Sequence, residues 1–348
     1  MKKDSRCGFP VRCGRWCGAL LLALALPGML AADSPASDEL VISGSEWITD
    51  APTWLAAAAG YFNADTGPRI RVELADSGKQ ALERLMAGEA DFALMAAVPL
   101  AMTLTRLHHE GVPQATWPVV LASVGLSSRT HHVIADARRG IEQPTELAGH
   151  GLGLLLDTSA HYGWDRFADL QGIGAGAVRL LNSRPDELAA GLAAGNFDAV
   201  VAWSPFSEQI LDQLGPAARR FSLQAMDSVD WLLVCRRTLI ARHPHAVDRV
   251  LRGYAEAIEL LQTEPERAAA LLDLSPDKLR DNRMVWKLAL NWSVIANMEA
   301  KLEWSANRLD MPPLRVSPRI YIERGPLEQY RPRAVSLPTW IAAGQAER

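Results

Sequence analysis

The sequence predicts an α/β protein made of two similar lobes. Three observations carry that expectation: a phrase that occurs twice, strands that alternate with helices around each copy, and helix-capping signals ahead of both. The phrase Ala87-Gly88-Glu89-Ala90-Asp91-Phe92-Ala93 is echoed by Ala194-Gly195-Asn196-Phe197-Asp198-Ala199-Val200. The shared frame is Ala-Gly-x-x-Asp-x-small. Glycine is favoured just past a helix end because it takes left-handed backbone angles without a side-chain clash. Each copy therefore reads as a helix end running into a strand. Two such units about a hundred residues apart imply two matched lobes, and a cleft between lobes is where ligands bind.

The first set of elements begins with the apolar strand Leu40–Gly44. Thr49 or Asp50 then caps a helix with Pro52 in its first turn, running to Gly60. Ile70–Leu74 alternates as a strand does. Ser77-x-x-Gln80 is a capping box that opens a helix ending at Gly88. Phe92–Met95 is a strand, Pro99 falls early in the next helix, and Val119–Ser123 closes the set. The order β-α-β-α-β-α-β predicts a mainly parallel sheet.

The second set starts after Ser127-Ser128-Arg129-Thr130, with a strand at His132–Ala135 and a short turn at Pro144–Gly149. Gly151–Leu156 is a strand, and Asp157-Thr158-Ser159 caps a helix ending near Gly172. Val178–Leu181 is a strand, Ser183-x-x-Asp186 caps a helix to Gly195, and Ala199–Trp203 mirrors Phe92–Met95. From Pro244 the pattern turns helical, over 246–262, 264–272 and 278–309. The segment from Met311 to Arg348, rich in Pro and Arg, reads as a tail over the surface.

The 348 residues leave room for two domains, and 49% hydrophobic with 22% charged residues marks a globular chain. A net charge of −4 with no Lys/Arg-rich run argues against a nucleic-acid partner. Residues 1–32 place Lys2, Lys3, Arg6, Arg12 and Arg15 ahead of the apolar run Ala19–Leu26, the break Pro27-Gly28 and the small exit Ala31-Ala32. That is the pattern of a secretory signal peptide, too short in its apolar core for a membrane span. Its removal would take the chain to about −8. It would also remove Cys7, Cys13 and Cys17, leaving Cys235 in an apolar strand and neither a disulfide nor a cysteine metal site.

Ligands of parallel sheets sit at the carboxyl ends of strands, beside helix starts whose unpaired N–H groups attract anions. Those places hold small hydroxyl residues interleaved with tryptophans: Ser45 to Trp47, Asp76 to Lys79, Ala96 to Pro99, Asp157 to His161 and Trp203 to Pro205. The mixture suits a small polar ligand against an aromatic wall. His131 stands at the junction of the two sets, and His161 on the first turn of a helix is a candidate to face the ligand. Phosphate-loop, Gly-x-Ser-x-Gly and His-Glu-x-x-His motifs are missing. Gly172-x-Gly174-x-Gly176 follows a helix rather than a strand and reads as a loop. No cofactor, no metal and no catalytic residue is expected.

In order and spacing, several segments resemble the periplasmic substrate-binding proteins of ABC importers. The resemblance is to the nitrate, taurine and aliphatic-sulfonate (NMT1/THI5-like) subgroup. The segments are Trp54–Phe62, Ala81-Leu82 with Ala87–Asp91, Thr145–Gly149, Ser159–Tyr162, and Leu192–Ala199 leading to Trp203–Phe206. The resemblance implies a type II periplasmic-binding-protein fold, with two α/β lobes joined by a two-stranded hinge. Lobe one would take residues 39–128 and the helical return 233–310, lobe two 129–232, and 311–348 the tail. It implies a monomeric secreted receptor that passes a small molecule to a membrane permease. It nominates Trp47, Ser77, Ala97, Thr130, His131, Thr158, Ser159, Trp203 and Trp231 as ligand contacts, with Asp230 near the return crossover. Glu46 and Asp50 depart from the family pattern, and such acids facing the cleft would disfavour an anion. A sensor subunit binding the same ligand, or an enzyme on the same scaffold, are the alternatives. The second is weakened because the enzymatic relatives need a cysteine-rich iron motif.

Overall fold

The computed structural model describes residues 39–45, 47–63, 66–223, 228–281 and 284–338. The predicted signal segment, Cys7, Cys13, Cys17, Glu46 and residues 339–348 lie outside the described residues. The chain starts with strand β1 (Glu39–Ser45), α1 (Ala51–Ala58), β2 (Arg69–Ala75), α2 (Gly78–Ala87), β3 (Phe92–Ala96), α3 (Ala97–His109) and β4 (Pro118–Ser127). It continues through β5 (His131–Asp136), β6 (Gly151–Leu154), α4 (Ser159–Leu170), β7 (Arg179–Asn182), α5 (Leu188–Ala193), β8 (Ala199–Trp203), α6 (Phe206–Leu214) and β9 (Ala218–Ser222). The return comprises β10 (Val229–Arg236), α7 (Arg237–Arg242), α8 (Pro244–Thr263), α9 (Pro265–Leu271) and α10 (Pro276–Asp281). It ends with β11 (Val285–Ala289), α11 (Trp292–Arg308) and α12 (Gly325–Tyr330).

Two sheets result, one per lobe. The first has the order β11-β4-β10-β3-β1-β2 and the second β7-β6-β8-β5-β9. Their centres match: β2-β1-β3 and β7-β6-β8 are parallel triplets, each flanked by an antiparallel strand, β10 or β5. The repeated phrase has a physical basis in this match. Gly88 and Gly195 both take left-handed angles, φ +80° and +76°. The Asp91 carboxylate accepts the Val41 N–H at 2.9 Å, and the Asp198 carboxylate accepts the Gly151 N–H at 2.9 Å. In return each aspartate's own N–H donates to the carbonyl of that same strand residue. Each Asp thus locks the central strand of its lobe to the strand that follows the repeat.

The strands alternate apolar faces as a sheet covered on both sides requires. In β8, Ala199 and Val201 join the cluster with Leu152, Trp164 and Phe167, while Val200 and Ala202 join Leu188, Phe206 and Ile210 on the other face.

The structure departs from the sequence expectation in four places. β4 is antiparallel to β10 and to β11, because it is the crossover strand rather than a fourth parallel one. The chain re-enters the first sheet at Val229, with Val229 opposite Ser127, so the return lies ahead of residue 229 rather than at 232. The segment 278–309 is interrupted by β11, whose residues Val285, Trp286 and Leu288 a helical period absorbs without conflict. Up to Leu337 the tail is part of the lobe-one core. Its Tyr321 carbonyl accepts the Val120 N–H at 2.8 Å, and Tyr321 and Leu327 are fully buried. Among the described residues no helix is long and apolar enough to cross a membrane.

Candidate functional site

Five helix starts, from both lobes, open onto one cavity of about 1300 Å³. Lobe one contributes Asp50 and Ala51 at the start of α1, Ser77 and Gly78 at α2, and Ala96 before α3. Lobe two contributes Thr158 and Ser159 at α4 and Ser204-Pro205 before α6. The placement follows from the parallel triplets, whose strands all end at this edge and hand over to helices there.

The capping chemistry of these helices differs, and the difference matters. Ser77 caps α2, its hydroxyl accepting the Gln80 N–H, while the Gln80 side chain accepts the Asp76 N–H at 2.6 Å. α1, α3, α4 and α6 have no side-chain cap. The Thr158 hydroxyl turns back and donates to the Leu155 carbonyl at 2.7 Å. Ala96 has no acceptor to offer. Asp50, the expected cap of α1, instead accepts the Ser45 N–H at 2.5 Å. Four of the five helices therefore have no side-chain acceptor at the cavity edge; in α1 the Ala51 N–H is taken by the Ile48 carbonyl, and the starts of the others favour an anionic guest.

Asp50 is buried, and burial pushes its carboxyl up to about 7. Its oxygens serve the β1–α1 turn through Ser45 and Thr49. A Cβ on Gly44 would lie 3.2 Å from one of them, so the glycine makes room for the acid. The acid expected to repel anions is thus committed to the backbone and half-neutral near pH 7. Lys79, Arg129 and Arg220 line the cavity together with the acids Glu208 and Asp212.

Of the nominated residues, Trp47, Ser77, Thr130, His131, Thr158, Ser159, Trp203 and Trp231 line this cavity. Trp47 donates its indole N–H to the Asp76 carbonyl at 3.2 Å and meets Phe206 of the other lobe edge-on, with centroids 4.6 Å apart. His131 shares a 2.8 Å hydrogen bond with the Thr130 hydroxyl, and its ring lies 5.3 Å from Trp203. Ala97 is not a lining residue: it is the first residue of α3, 2% exposed, and the lining position is the preceding Ala96. Asp230 points away from the cavity because strand neighbours face opposite sides. Its carboxylate takes hydrogen bonds from Ser123 and Asn297. His161 also fails to face the cavity. It is fully buried against Trp304 of α11, with rings 5.2 Å apart.

Sequence reasoning marked Lys79 and Ser204 within strand-end segments but missed Trp54 and the residues Leu271, Leu272 and Leu274, all of which line the cavity. Trp54 had a usable signal, being one helical turn beyond Asp50. The leucines had none, since they come from the distant return. Cys235 is buried in β10, where burial raises its pKa far above the usual thiol range. Among the described residues no group of three or more His, Cys, Asp and Glu could hold a metal.

Known proteins share this fold. The chain is 23% identical over 218 residues to the taurine-binding periplasmic protein of Escherichia coli K12, a match spanning 62% of this chain and 64% of that protein. In fold it is similar to the alkanesulfonate-binding protein SsuA from Xanthomonas axonopodis pv. citri, bound there to MOPS. The TM-score is 0.68 at 17% identity, over 84% of this chain and 100% of that one. The periplasmic nitrate-binding protein NrtA from Synechocystis PCC 6803 superposes with a TM-score of 0.60 at 11% identity, over 90% of this chain and 92% of that one. The family described as NMT1/THI5-like matches residues 47–268, and the chain belongs to it.

Proposed function

We propose that the chain is the solute receptor of an ABC importer, capturing a small organic anion of the sulfonate type between its lobes. The observation that carries this reading is the convergence of helix starts from both lobes, four of them without side-chain caps, on one tryptophan-walled cavity. Such a site binds an anion through backbone N–H groups and needs no bond chemistry. Both walls come from one chain, so a monomer suffices. The buried thiol of Cys235 offers no nucleophile. The family and the basic-then-apolar N-terminus support secretion to the periplasm, and a membrane permease is the receiver of the closed, loaded form.

The test is a thermal-shift screen of sulfonates, nitrate, amino acids, pyrimidines and polyamines. A ligand at about 100 times its Kd stabilises by about 2.7 kcal/mol, a shift of several degrees. One anionic class should raise Tm, and Trp203→Ala should remove that shift while the protein still unfolds cooperatively. A cation as the stabilising ligand, or no stabilising class, would refute the reading.

A further inference from the structure

One ionisable side chain in the cavity wall has no counter-charge. Asp50 borders the cavity at the β1–α1 turn and is 1% exposed. Among the described residues no lysine, arginine or histidine pairs with its carboxylate. Its surroundings are neutral instead. One oxygen accepts the Ser45 N–H at 2.5 Å, the other lies 3.5 Å from the Thr49 hydroxyl, and the Ser45 hydroxyl stands beside the same carboxyl. Behind it, on α1 and α8, Thr53 shares a 2.8 Å hydrogen bond with the Tyr254 phenol, which burial keeps protonated. A buried carboxylate without a cation bears the full desolvation of its charge, so both its forms are accessible near pH 7. The two hydroxyls suit either form, since a hydroxyl donates to a carboxylate and accepts from a carboxylic acid.

The other charged groups that line the cavity are Lys79, Arg129, Arg220 and Lys278, with Glu208 and Asp212. An anion entering this space brings a second negative charge to a wall that already holds one. Like charges sharing a desolvated site do not both stay ionised. A sulfonate or nitrate is the anion of a strong acid and takes no proton near neutral pH, so the wall carboxyl is the group that yields. We infer that Asp50 couples guest binding to proton uptake: an anion entering the cavity draws a proton from solvent onto the Asp50 carboxyl, and the receptor loads best on the acid side of neutrality. The inference rests on the solute-receptor reading and adds a regulation to it. The sign follows from linkage. A group whose pKa is raised by the guest supports affinity below its free value, and that support is lost as pH rises above it. His131 and His132 also line the cavity, and a histidine source would give the same sign. The experiment therefore has to separate a carboxyl from an imidazole.

The probes are ethanesulfonate and nitrate, with binding to the full chain measured by calorimetry in buffers that are not sulfonates. The Kd should weaken about five- to tenfold from pH 6 to 8. Heats in two buffers of different ionisation enthalpy should show about half a proton or more taken up per guest near pH 7.5. Asp50→Asn, which cannot titrate, should hold its Kd within about twofold over the same range, and thermal unfolding verifies its fold. The infrared difference spectrum of the parent should gain a carboxylic-acid carbonyl band when the guest binds, which a histidine source would not produce. A parent Kd that ignores pH, or a slope that persists in Asp50→Asn, would overturn the coupling and leave the receptor reading standing. Should Asp50→Asn fail to fold, the spectrum decides, and a parent that gains no carboxylic-acid band overturns the coupling. Failure of both probes to bind the parent at pH 6 would overturn the anion-receptor reading itself, and the coupling with it.

Discussion

Replacing Trp304 with alanine should open the protein without unfolding it. Trp304 lies on α11 of lobe one, yet its partners are on α4 of lobe two. Its indole N–H donates to the Asp165 carboxylate at 2.9 Å, and its ring meets those of His161 and Tyr162 edge-on at 5.2 and 5.6 Å. A hydrogen bond to a charged group is worth about 1.5–3 kcal/mol, and an aromatic pair about 0.5–1.5. Asp165 and Trp304 are only half-buried, which discounts the first figure, and contacts sharing one ring do not add fully. A net interlobe contribution of about 2 kcal/mol follows, or about 30-fold in the open–closed equilibrium. The surface pairs across the cleft, Arg184–Asp76 at 3.2 Å and Arg106–Asp157 at 3.5 Å, are solvated and contribute little by comparison. On the reading that this seam parts when the lobes open, the ligand must supply the difference, and its Kd should weaken by up to about 30-fold. Trp304→Phe keeps a ring edge and loses the hydrogen bond, and should fall between. Calorimetry with the best ligand of the screen reads the Kd, and small-angle scattering reads the free protein's radius of gyration. An unchanged Kd and unchanged scattering for Trp304→Ala would refute the assignment of this seam to closure.

Two further outcomes depend on pH. Asp50 has its folded pKa raised to about 7 by burial, so the folded state holds a proton that the unfolded chain releases near pH 4. Stability should therefore fall as pH rises from about 4 to 7, and Asp50→Asn, which keeps an acceptor for Ser45, should flatten that fall in Tm. A parallel decline in the variant would remove Asp50 as its source. His161 works in the opposite sense. Burial, aided by Arg308 and Lys79, lowers its pKa against the pull of Asp165 and Asp157. Its contribution is present above the unfolded value of about 6.5 and is lost as pH drops through the lowered folded value. His161→Phe should keep the ring contact with Trp304 and retain more Tm than the parent on acidification from pH 7 to 5. Equal losses in the two proteins would show that His161 does not set the acid limit.

The lobes were legible because their repeat is a local device. Gly88 and Gly195 end helices, and Asp91 and Asp198 reach one strand across. All of this lies within a dozen residues of the phrase except the strand partner, Val41 or Gly151. The cavity's lobe-two side was legible for the same reason, since Thr158, Ser159 and Trp203 sit at ends of local β-α units. The lobe-one return was not. β11 carries apolar residues at spacings that fit a helix as well as a strand, and its strand state comes from pairing with β4, about 160 residues earlier. The tail reads as surface because Pro and Arg dominate it. Arg237 explains its docking: the guanidinium pairs with Glu323 at 3.0 Å and donates to the Ile320 carbonyl at 2.6 Å.

Asp50 shows why a residue's type alone misleads about the site. An acid beside a pocket suggests repulsion of anions, and a free carboxylate there would supply it. This carboxylate instead accepts the N–H of Ser45 at the strand end, and burial half-neutralises it near pH 7. Its substitute role has a consequence for α1. A capping acid would have spent its oxygens on the first turn of that helix; with Asp50 turned to Ser45, the Ala51 N–H donates instead to the Ile48 carbonyl, and Pro52 carries no N–H. The same logic applies at α4, where the Thr158 hydroxyl serves Leu155, and at α3, where alanine precedes the helix. With α6, four helices from two lobes thus keep their positive ends uncapped by side chains where they meet. On the proposed reading, a guest from solution supplies the acceptors and draws the lobes together.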